Sequence, residues 1–499
     1  MTLFTPPKQM KDKITLLAHK PWMPYVGLLL ITILAAALRF YKLGAWSFWI
    51  DEIFTINHAV RHFGNIGLLL DHIPPARNWV PMSVILTAQV LNLLGINEWS
   101  ARLVSVVIGV FTIPMLYFPL RKIFGNQVML IALLLLAISP WHIFWSQNAR
   151  FYTSLLLLST LALFAFFYII EHDRPVFLLL FYVLLYLASS ERLTVFLIVP
   201  VIFGYIFSLW VLPIEKPKGL NRKTVLLSVL PLILFALLEV CRSAFLGSSL
   251  TISILDTFSG QPNTTPLRLT LSIIYRISVP VFILGLFGGI YTITTKQRAG
   301  LFVFISATLP VLVLIVLSMF MFTVDRYIFI TLLPWLILCA MAVKELFFQA
   351  KRFAVLLPFG VLMIFLFSSM SDIYLYYQFQ NGNRPNWKDA YGYVERNIES
   401  GDIVYTTGYQ LGEYYLPAAD NRYINSFEPA NLAENESISY WFVIDESIGG
   451  VNPDIYSWIQ DFSTLVRSEE VYLPGKSMSI RIYQYSSAHD ERVDYLSER

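Results

Sequence analysis

Long apolar segments separated by short polar loops fill the first three quarters of the chain. Eleven of them have roughly the 20 residues that an α-helix needs to cross a bilayer. They cover residues 22–42, 100–120, 126–146, 153–170, 175–190, 193–212, 225–241, 271–295, 301–322, 327–343 and 353–371. Continuous apolar runs of this length predict helices, because barrel strands alternate apolar and polar positions in shorter segments. A further apolar stretch, residues 79–97, is interpreted as a helix at the membrane interface, because counting it as a span spoils the charge pattern of the loops.

The composition supports a membrane protein and excludes most other classes. Of 499 residues, 56% are hydrophobic and 14% are charged, and the mean hydropathy is +0.61. A soluble fold of this composition would lack the polar groups to cover its surface, and a disordered or nucleic-acid-binding chain would be more highly charged. The fold class is therefore predicted to be a polytopic α-helical membrane protein with about eleven transmembrane helices.

Basic residues in alternate loops predict the topology. Residues 1–21 and every second loop after them carry Lys and Arg, which places these segments in the cytoplasm. An odd number of spans then places the chain after the last helix on the opposite side. The expected organisation is a cytoplasmic segment 1–21, a transmembrane domain 22–372 with a first outer loop 43–99, and an extracytoplasmic domain 373–499. The membrane would be a bacterial inner membrane, with a eukaryotic lumenal arrangement as the alternative.

The C-terminal part differs from the rest in charge and pattern. Residues 373–499 hold 19 of the 33 acidic and 9 of the 36 basic side chains, which gives them a net charge of −10. Residues 386–398 and 454–462 have the periodicity of amphipathic helices, whereas 401–407 and 440–445 are typical of strands. A small α/β domain is expected.

The predicted outer loops gather ionisable residues close to the ends of spans. Such groups are costly at membrane depth unless they are paired or face a cavity, so their clustering on one side indicates a site. The most informative loop carries the adjacent carboxylates Asp51 and Glu52 after an aromatic stretch. For an arbitrary membrane protein, the simpler interpretation is that this acidic pair only stabilises the start of a helix. Snorkelling arginines are the corresponding alternative for the basic members.

Several segments, in order, resemble the GT-C membrane glycosyltransferases, in particular glycosyltransferase family 39, which includes protein O-mannosyltransferases and lipid A aminoarabinose transferases. The segments are Asp51–Glu52, His72-Ile73-Pro74-Pro75, EWSARLVSVVIG (98–109) with Arg102, SPWHIFWSQNARFYTSLL (139–156) with Arg150 and Tyr152, DRYIFITLLP (325–334) with Arg326 and Tyr327, and residues 383–405. The resemblance implies the GT-C fold with an outer C-terminal domain.

The resemblance also implies an activity: transfer of a sugar from a polyprenyl-phosphate donor to an acceptor on the outer side, usually with inversion and without a nucleotide. The acceptor can be a glycan, a lipid or a protein. Asp51 is then the candidate general base, and Glu52 would orient the acceptor or help Asp51 to hold a divalent cation. Arg102, Arg326, Arg150 and His72 are candidates for the lipid phosphate, and Tyr152 and Tyr327 for additional hydrogen bonds.

Two positions depart from the family pattern. Gln147-Asn148-Ala149-Arg150 stands where many relatives have Gln-Glu-Ala-Arg, so one expected carboxylate is missing. Glu191, in Ser190-Glu191-Arg192-Leu193, is a candidate to replace it, with an ion pair to Arg192 at the interface as the alternative. The competing functions are a lipid-linked glycan ligase or polymerase, a transporter or flippase of lipid-linked sugars, and a non-catalytic binding subunit.

Overall fold

The computed structural model describes residues 21–61, 81–246, 262–349, 356–432, 438–447, 450–473 and 476–486. The fifteen helices that precede the C-terminal unit in this part of the chain are α1 (Met23–Phe40), α2 (Ile50–Val60), α3 (Met82–Leu94), α4 (Glu98–Phe124), α5 (Asn126–Ala137), α6 (Pro140–Ser146), α7 (Tyr152–His172), α8 (Val176–Glu191), α9 (Ile198–Val211), α10 (Arg222–Leu246), α11 (Pro266–Ile277), α12 (Val279–Thr294), α13 (Arg298–Leu317), α14 (Leu332–Gln349) and α15 (Leu356–Gln378). Short 3-10 turns, Leu193–Leu197 and Asp325–Thr331, lead into α9 and α14.

Every predicted apolar span coincides with a helix or a bent helix pair among these elements. Six helical segments in the described part of the chain are long and apolar enough to cross a membrane, or up to eight if each bent pair counts as one span. The helices α8, α10 and α15 coincide with the other three predicted spans. The protein is therefore an integral membrane protein with a helical transmembrane part, while the total of eleven spans stays a prediction.

Two of the predicted spans are broken. The helices α5 and α6 meet at 62°, and α11 and α12 meet at 94°. In both breaks proline stands in the first turn of the second helix, Pro140 and Pro280, where its missing N–H is tolerated. Ser278 at the second break has φ +85°, a conformation that residues other than glycine rarely adopt. The short helix α6 of the first broken span contacts α11 of the second.

The C-terminal unit contains α16 (Trp387–Asn397), β1 (Ile403–Thr406), α17 (Tyr409–Tyr415), β2 (Asp420–Tyr423), β3 (Ser439–Asp445), α18 (Pro453–Phe462), β4 (Thr464–Glu469), β5 (Tyr472–Leu473), β6 (Lys476–Ser477) and β7 (Ile480–Ser486). Five strands form one sheet in the order β2-β1-β3-β7-β4, with β1 parallel to both neighbours and β7 antiparallel to both of its own. The two predicted amphipathic helices and two predicted strands are confirmed. The helix α15 continues past the expected boundary at residue 372 to Gln378.

The sheet packs on both faces. One face buries Ile455 and Ile459 of α18 against Phe442 and Tyr483. The other face shares a core with α16 and α17, and the same core includes Phe48, Ile53 and Ile56 from the loop and helix that carry the acidic pair. The short helix α3 joins this core through Val84, Ala88 and Leu91. The C-terminal unit and the first loop are therefore one packed structure.

Candidate functional site

The acidic pair lies in the first turn of α2, where the helix dipole favours negative charge. Its two carboxylates have different surroundings. Glu52 is fully buried, whereas the side chain of Asp51 is 22% exposed. One helical turn therefore presents one carboxylate to the protein interior and the other to the surface of the site.

Glu52 is held by two arginines and a backbone N–H. Arg102 donates from Nε to Oε1 and from Nη2 to Oε2, both at 2.8 Å, which is the bidentate geometry of a strong ion pair. The N–H of Ala149 donates to Oε1 at 2.8 Å, and Arg384 donates to Oε2 at 3.2 Å. Burial by itself would raise the pKa of the Glu52 carboxyl, but the charges of Arg102 and Arg384 and these hydrogen bonds outweigh it, and the pKa lies below its ordinary value.

Arg102 uses all five of its N–H donors within the protein. Besides Glu52, it donates to the carbonyl oxygens of Leu43, Trp46 and Ser47 at 2.9–3.0 Å, and its side chain is fully buried. No donor is left for a lipid phosphate, which is the role that the sequence suggested for it. We reassign Arg102 to holding the loop that precedes α2.

Asp51 has two arginines as looser neighbours. Arg326 Nη1 is 3.5 Å from Asp51 Oδ2, and Arg150 Nη2 is 3.8 Å from the same oxygen. Arg150 is positioned by hydrogen bonds of 2.9 Å to the carbonyl oxygen of Asp51 and to Thr55 Oγ1. These charge contacts are longer than the 2.8 Å bonds to Glu52, so the Asp51 carboxylate is paired only weakly.

Positive charge exceeds negative charge around Asp51. The guanidinium of Arg192 packs against Phe151 and Tyr327, and the Nε atoms of Arg150, Arg192 and Arg326 are buried without a hydrogen-bond partner. Burial lowers the pKa of Arg150; Asp51 works against this, whereas Arg326 and Arg192 repel its charge. An anion bound here would relieve this repulsion and accept hydrogen bonds from the unsatisfied donors.

All four residues of the segment Gln147–Arg150 make hydrogen bonds close to the acidic pair. Gln147 receives a hydrogen bond from Tyr376 and donates to the carbonyl oxygens of Arg39 and Tyr41. Asn148 accepts from the indole N–H of Trp49 at 2.7 Å. The amide that stands in place of the family's carboxylate therefore fixes the residue two positions before Asp51.

Glu191 takes a separate role. It is buried and accepts hydrogen bonds from the N–H and Oγ of Ser83 at 3.0 and 2.6 Å, at the start of α3. It therefore anchors the helix that closes the first loop. No ion pair with Arg192 is found among the described residues, so the interfacial Glu191–Arg192 pair is not formed there.

The aromatic candidates lie beside the arginines. Tyr152 is buried against Trp145 and Phe329, and Tyr327 is buried beside Arg192. His72 and its double proline lie outside the described residues. Asp51, Arg150, Arg326, Tyr152 and Tyr327 are thus brought to one end of the bundle.

A cavity of about 380 Å³, here called the interface cavity, lies between the bundle and the C-terminal unit. On the bundle side it is lined by Trp49, Ile50, Trp141, Phe144, Trp145, Arg276, Asp325 and Arg326, and on the other by residues 383–385, Trp387, Asp445, Ser447, Leu473, Lys476 and Met478. Ile50 and Arg326 place Asp51 at its rim. Four tryptophans with a few charged groups form a wall suited to a ligand that has both apolar and hydrogen-bonding faces.

The described residues do not fit a divalent cation at the acidic pair. Both oxygens of Glu52 are engaged by arginines and an N–H, and Asp51 faces two further arginines. Among the described ranges, no group of three or more His, Cys, Asp and Glu side chains is close enough to hold a metal ion.

Arg384 is the contributor that the sequence did not single out. It is 2% exposed and reaches Glu52 and the carbonyl oxygen of Gln147 from beyond the last apolar helix. Its sequence signals are the Asn381-Gly382-Asn383 triplet, a turn pattern that overlaps the start of the family-like segment 383–405, and its position within that segment.

The architecture matches solved structures of glycosyltransferases over most of its length. Crystal structures of ArnT from Cupriavidus metallidurans, bound to undecaprenyl phosphate, and of the Archaeoglobus fulgidus oligosaccharyltransferase match with TM-scores of 0.54 and 0.58 and 15% and 13% identity. The matches cover 92% and 86% of this chain and 98% and 70% of the other chain. The chain has the GT-C fold. The GT-C fold that the sequence predicted is thereby confirmed.

Further comparisons used a family model, a third solved structure and curated protein sequences. Residues 74–239 match the family model described as dolichyl-phosphate-mannose-protein mannosyltransferase. The archaeal oligosaccharyltransferase AglB from Archaeoglobus fulgidus, in complex with an inhibitory peptide and a dolichol-phosphate, matches this GT-C chain with a TM-score of 0.53 and 12% identity over 86% of this chain and 70% of that one. A comparison with curated protein sequences finds no match.

Proposed function

We propose that this GT-C protein is a glycosyltransferase that moves a sugar from a polyprenyl-phosphate donor to an acceptor on the side of the membrane where the C-terminal unit lies. The observation that carries the proposal is the position of the Asp51 carboxylate, 3.5 and 3.8 Å from two guanidinium groups at the rim of the interface cavity. Support also comes from ArnT with undecaprenyl phosphate and AglB with dolichol-phosphate, the ligands of structures that share the fold.

Asp51 is the group best placed to act as the general base. A base must have a carboxylate oxygen free to accept a proton, and Glu52 has both of its oxygens bonded in the interior. Asp51 is partly exposed, and its two arginine neighbours, at 3.5 and 3.8 Å from Oδ2, leave its carboxylate open to the site. We therefore assign the proton transfer to Asp51 and a positioning role to Glu52.

The donor phosphate is assigned to Arg326 and Arg150, with Arg192 as an added contact. Their unsatisfied Nε–H donors and mutual repulsion favour a bound anion. The polyprenyl chain would extend from the phosphate along the apolar surfaces of the bundle. Because the lipid phosphate is itself the leaving group, no nucleotide is needed. Tyr152 and Tyr327 lie beside this arginine cluster and would donate additional hydrogen bonds to the bound substrate.

The proposed reaction is a single displacement at the anomeric carbon of the donor sugar. The acceptor X–H loses its proton to Asp51 as its heteroatom forms a bond to the anomeric carbon. The bond between that carbon and the phosphate oxygen breaks, and its electron pair leaves with the polyprenyl phosphate. The arginines stabilise the charge that grows on the phosphate, and attack opposite the leaving group inverts the anomeric carbon. Asp51 afterwards releases the proton to water.

The decisive experiment replaces Asp51 by Asn, which keeps the size of the side chain and removes its basicity. Purified D51N is incubated with a panel of radiolabelled polyprenyl-phosphate sugars and a mixture of membrane lipid, glycan and peptide acceptors. We expect a loss of transfer of about 100-fold or more, in the range that general base catalysis contributes. The matched control is D420N, which removes an exposed carboxylate of the C-terminal unit that pairs with Arg422.

Wild-type activity in D51N would remove Asp51 from the mechanism. Equal losses in D51N and D420N would show that the assay reports folding and not chemistry. If the wild-type protein transfers sugar from none of the donors, the proposed function itself is overturned.

A further inference from the structure

A second, smaller cavity opens beside the interface cavity. It has a volume of about 50 Å³ and is called the side pocket. Trp141, Phe144, Arg276 and Asn383 line both cavities, so the two adjoin. The remaining wall includes Ser278 at the bend between α11 and α12 and residues of α15. The site assigned above uses none of the side pocket's own residues.

Three polar atoms of the side pocket have no partner. Ser278 Oγ, Ser369 Oγ and Asn383 Oδ1 are buried without a hydrogen bond, and Ser369 is only 2% exposed. A buried polar group without a partner costs about 1–3 kcal/mol, and such groups are rare in folded proteins. Three of them around one small space indicate that a ligand group completes their hydrogen bonds.

Asp372 adds an unpaired carboxylate to the same wall. It lies half-buried on α15, and no hydrogen bond or ion pair to it is found in the described part of the chain. A carboxylate in this position at the end of an apolar helix is expected to serve a function. The carboxylate and Asn383 Oδ1 accept hydrogen bonds, and the two serine hydroxyls both donate and accept.

Two members of the pocket are also held in unfavourable backbone conformations. Ser278 has φ +85° and Asn383 has φ +57°. Left-handed conformations of residues other than glycine cost of the order of 1–3 kcal/mol and concentrate at binding sites. The strain is independent of the missing hydrogen bonds, and it points to the same two residues.

We propose that the side pocket is a specificity subsite for the donor sugar and receives one hydroxyl-bearing arm, such as the exocyclic hydroxymethyl group of a hexose whose ring occupies the interface cavity. This inference rests on the proposed function. A water needs about 10–15 Å³, so the side pocket admits a few heavy atoms but not a second sugar ring. The arm's hydroxyl donates to Asp372 or Asn383 and accepts from the serines. Arg276 in the same wall disfavours a free cation there.

The test compares two donors that differ only in this arm. Purified full-length protein is assayed with polyprenyl-phosphate hexose and with the pentose that lacks its hydroxymethyl group. Asp372→Asn removes the carboxylate, and Ser369→Leu fills the pocket. Each variant is expected to lower kcat/KM for the hexosyl donor about tenfold, the loss of roughly one hydrogen bond, and to leave the pentosyl donor within about twofold. Ser371→Leu is the matched control, because Ser371 lies on the same helix but does not line the pocket.

The outcomes separate the two proposals. If both sugars are transferred and the variants affect both donors equally, the subsite is overturned and the proposed function stands. The same conclusion follows if the wild-type protein prefers the pentosyl donor. If the wild-type protein transfers neither sugar but does transfer another sugar of the donor panel, the subsite alone is overturned; if it transfers none of the panel, the proposed function is overturned and the subsite with it. If S369L fails to fold, D372N carries the comparison alone.

Discussion

Two neighbouring carboxylates of one helical turn show how the environment divides roles between residues. Glu52 compensates the charges of two buried arginines, while Asp51 keeps a weakly paired carboxylate at the cavity rim. Removing one partner of a buried ion pair leaves the other charge uncompensated, which is far more costly than losing a surface pair. Replacing each carboxylate by its amide should therefore affect the stability of the fold at Glu52 far more than at Asp51.

We expect Glu52→Gln to destabilise the fold and Asp51→Asn to leave it nearly unchanged. The loss for Glu52→Gln should be about 3–5 kcal/mol, because Arg102 and Arg384 stay buried without a counter-charge. Thermal unfolding in detergent, followed by intrinsic tryptophan fluorescence, measures the difference. Equal unfolding temperatures for E52Q and the wild-type protein would show that Glu52 does not compensate the buried charges.

The pH dependence of this difference follows from the lowered pKa of Glu52. The stabilisation is complete above the ordinary pKa of 4.5 and is lost as the pH falls through the lower pKa of the folded state. The gap between wild-type and E52Q unfolding temperatures should therefore be constant from neutral pH to about pH 5 and narrow in stronger acid. A gap that widens on acidification would contradict the buried ion pair.

The sequence predicted which residues lie close together but not how deeply each one is buried. Its candidates Asp51, Arg150 and Arg326 do come together, because loop order and sidedness constrain which groups share a surface. Arg102 matched the family pattern equally well and is nevertheless buried behind Glu52. Whether an arginine faces a ligand or the protein depends on packing between distant segments, which no local pattern records.

At the scale of elements, a strained turn delivers Arg384 to the site. Asn381, Gly382 and Asn383 have φ values of +44°, +63° and +57°. Three successive left-handed residues reverse the chain at the end of α15 and direct it under the first loop. A Cβ atom on Gly382 would lie 2.8 Å from the indole of Trp46, so this position is closed to any side chain.

Gly382→Ala should loosen the C-terminal unit from the bundle. We expect a loss of stability of more than 1 kcal/mol from the positive φ and the clash with Trp46. Unfolding temperature and the rate of limited proteolysis between α15 and α16 report the change. The control is Gly392→Ala on α16, where the added methyl meets only the end of Arg396 at 3.6 Å and the helix should gain up to about 1 kcal/mol. Equal changes in unfolding temperature and proteolysis rate in both variants would show that the turn does not require glycine at position 382.

Hydropathy predicted the helices well and their interruptions poorly. Each apolar run became a helix because the bilayer leaves the backbone few alternatives. The breaks at Ser139 and Ser278 have only a following proline as a signal, and proline inside α4, at Pro114 and Pro119, leaves that helix continuous. In the C-terminal unit, β2 and β7 were not predicted, since their pairing depends on partners far away in the sequence.

At the scale of the whole molecule, the first loop, the C-terminal unit and the turn before α14 meet at one end of the bundle. Lys296, between α12 and α13, lies at the other end, since α13 (Arg298–Leu317) separates it from the turn that holds Arg326. The positive-inside pattern would place Lys296 in the cytoplasm and the site outside.

Cysteine labelling of intact cells tests this orientation. Phe54→Cys and Asp420→Cys, both at exposed positions, should react with a membrane-impermeant thiol reagent, and Lys296→Cys should react only after the membrane is permeabilised. The unmodified chain is the blank, since it measures any labelling of the two native cysteines, of which Cys339 is buried. The opposite pattern would place the site in the cytoplasm.

The contact between Glu52 and Arg384 also sets an order of events during biosynthesis. The two residues are 332 positions apart, so the ribosome adds the arginine roughly 15 to 65 seconds after the glutamate. In the meantime, the segment around Asp51 lacks both that arginine and the apolar surface of α16 that covers it. The site around Asp51 is therefore expected to be completed only after the C-terminal unit has been synthesised and has folded against the first loop.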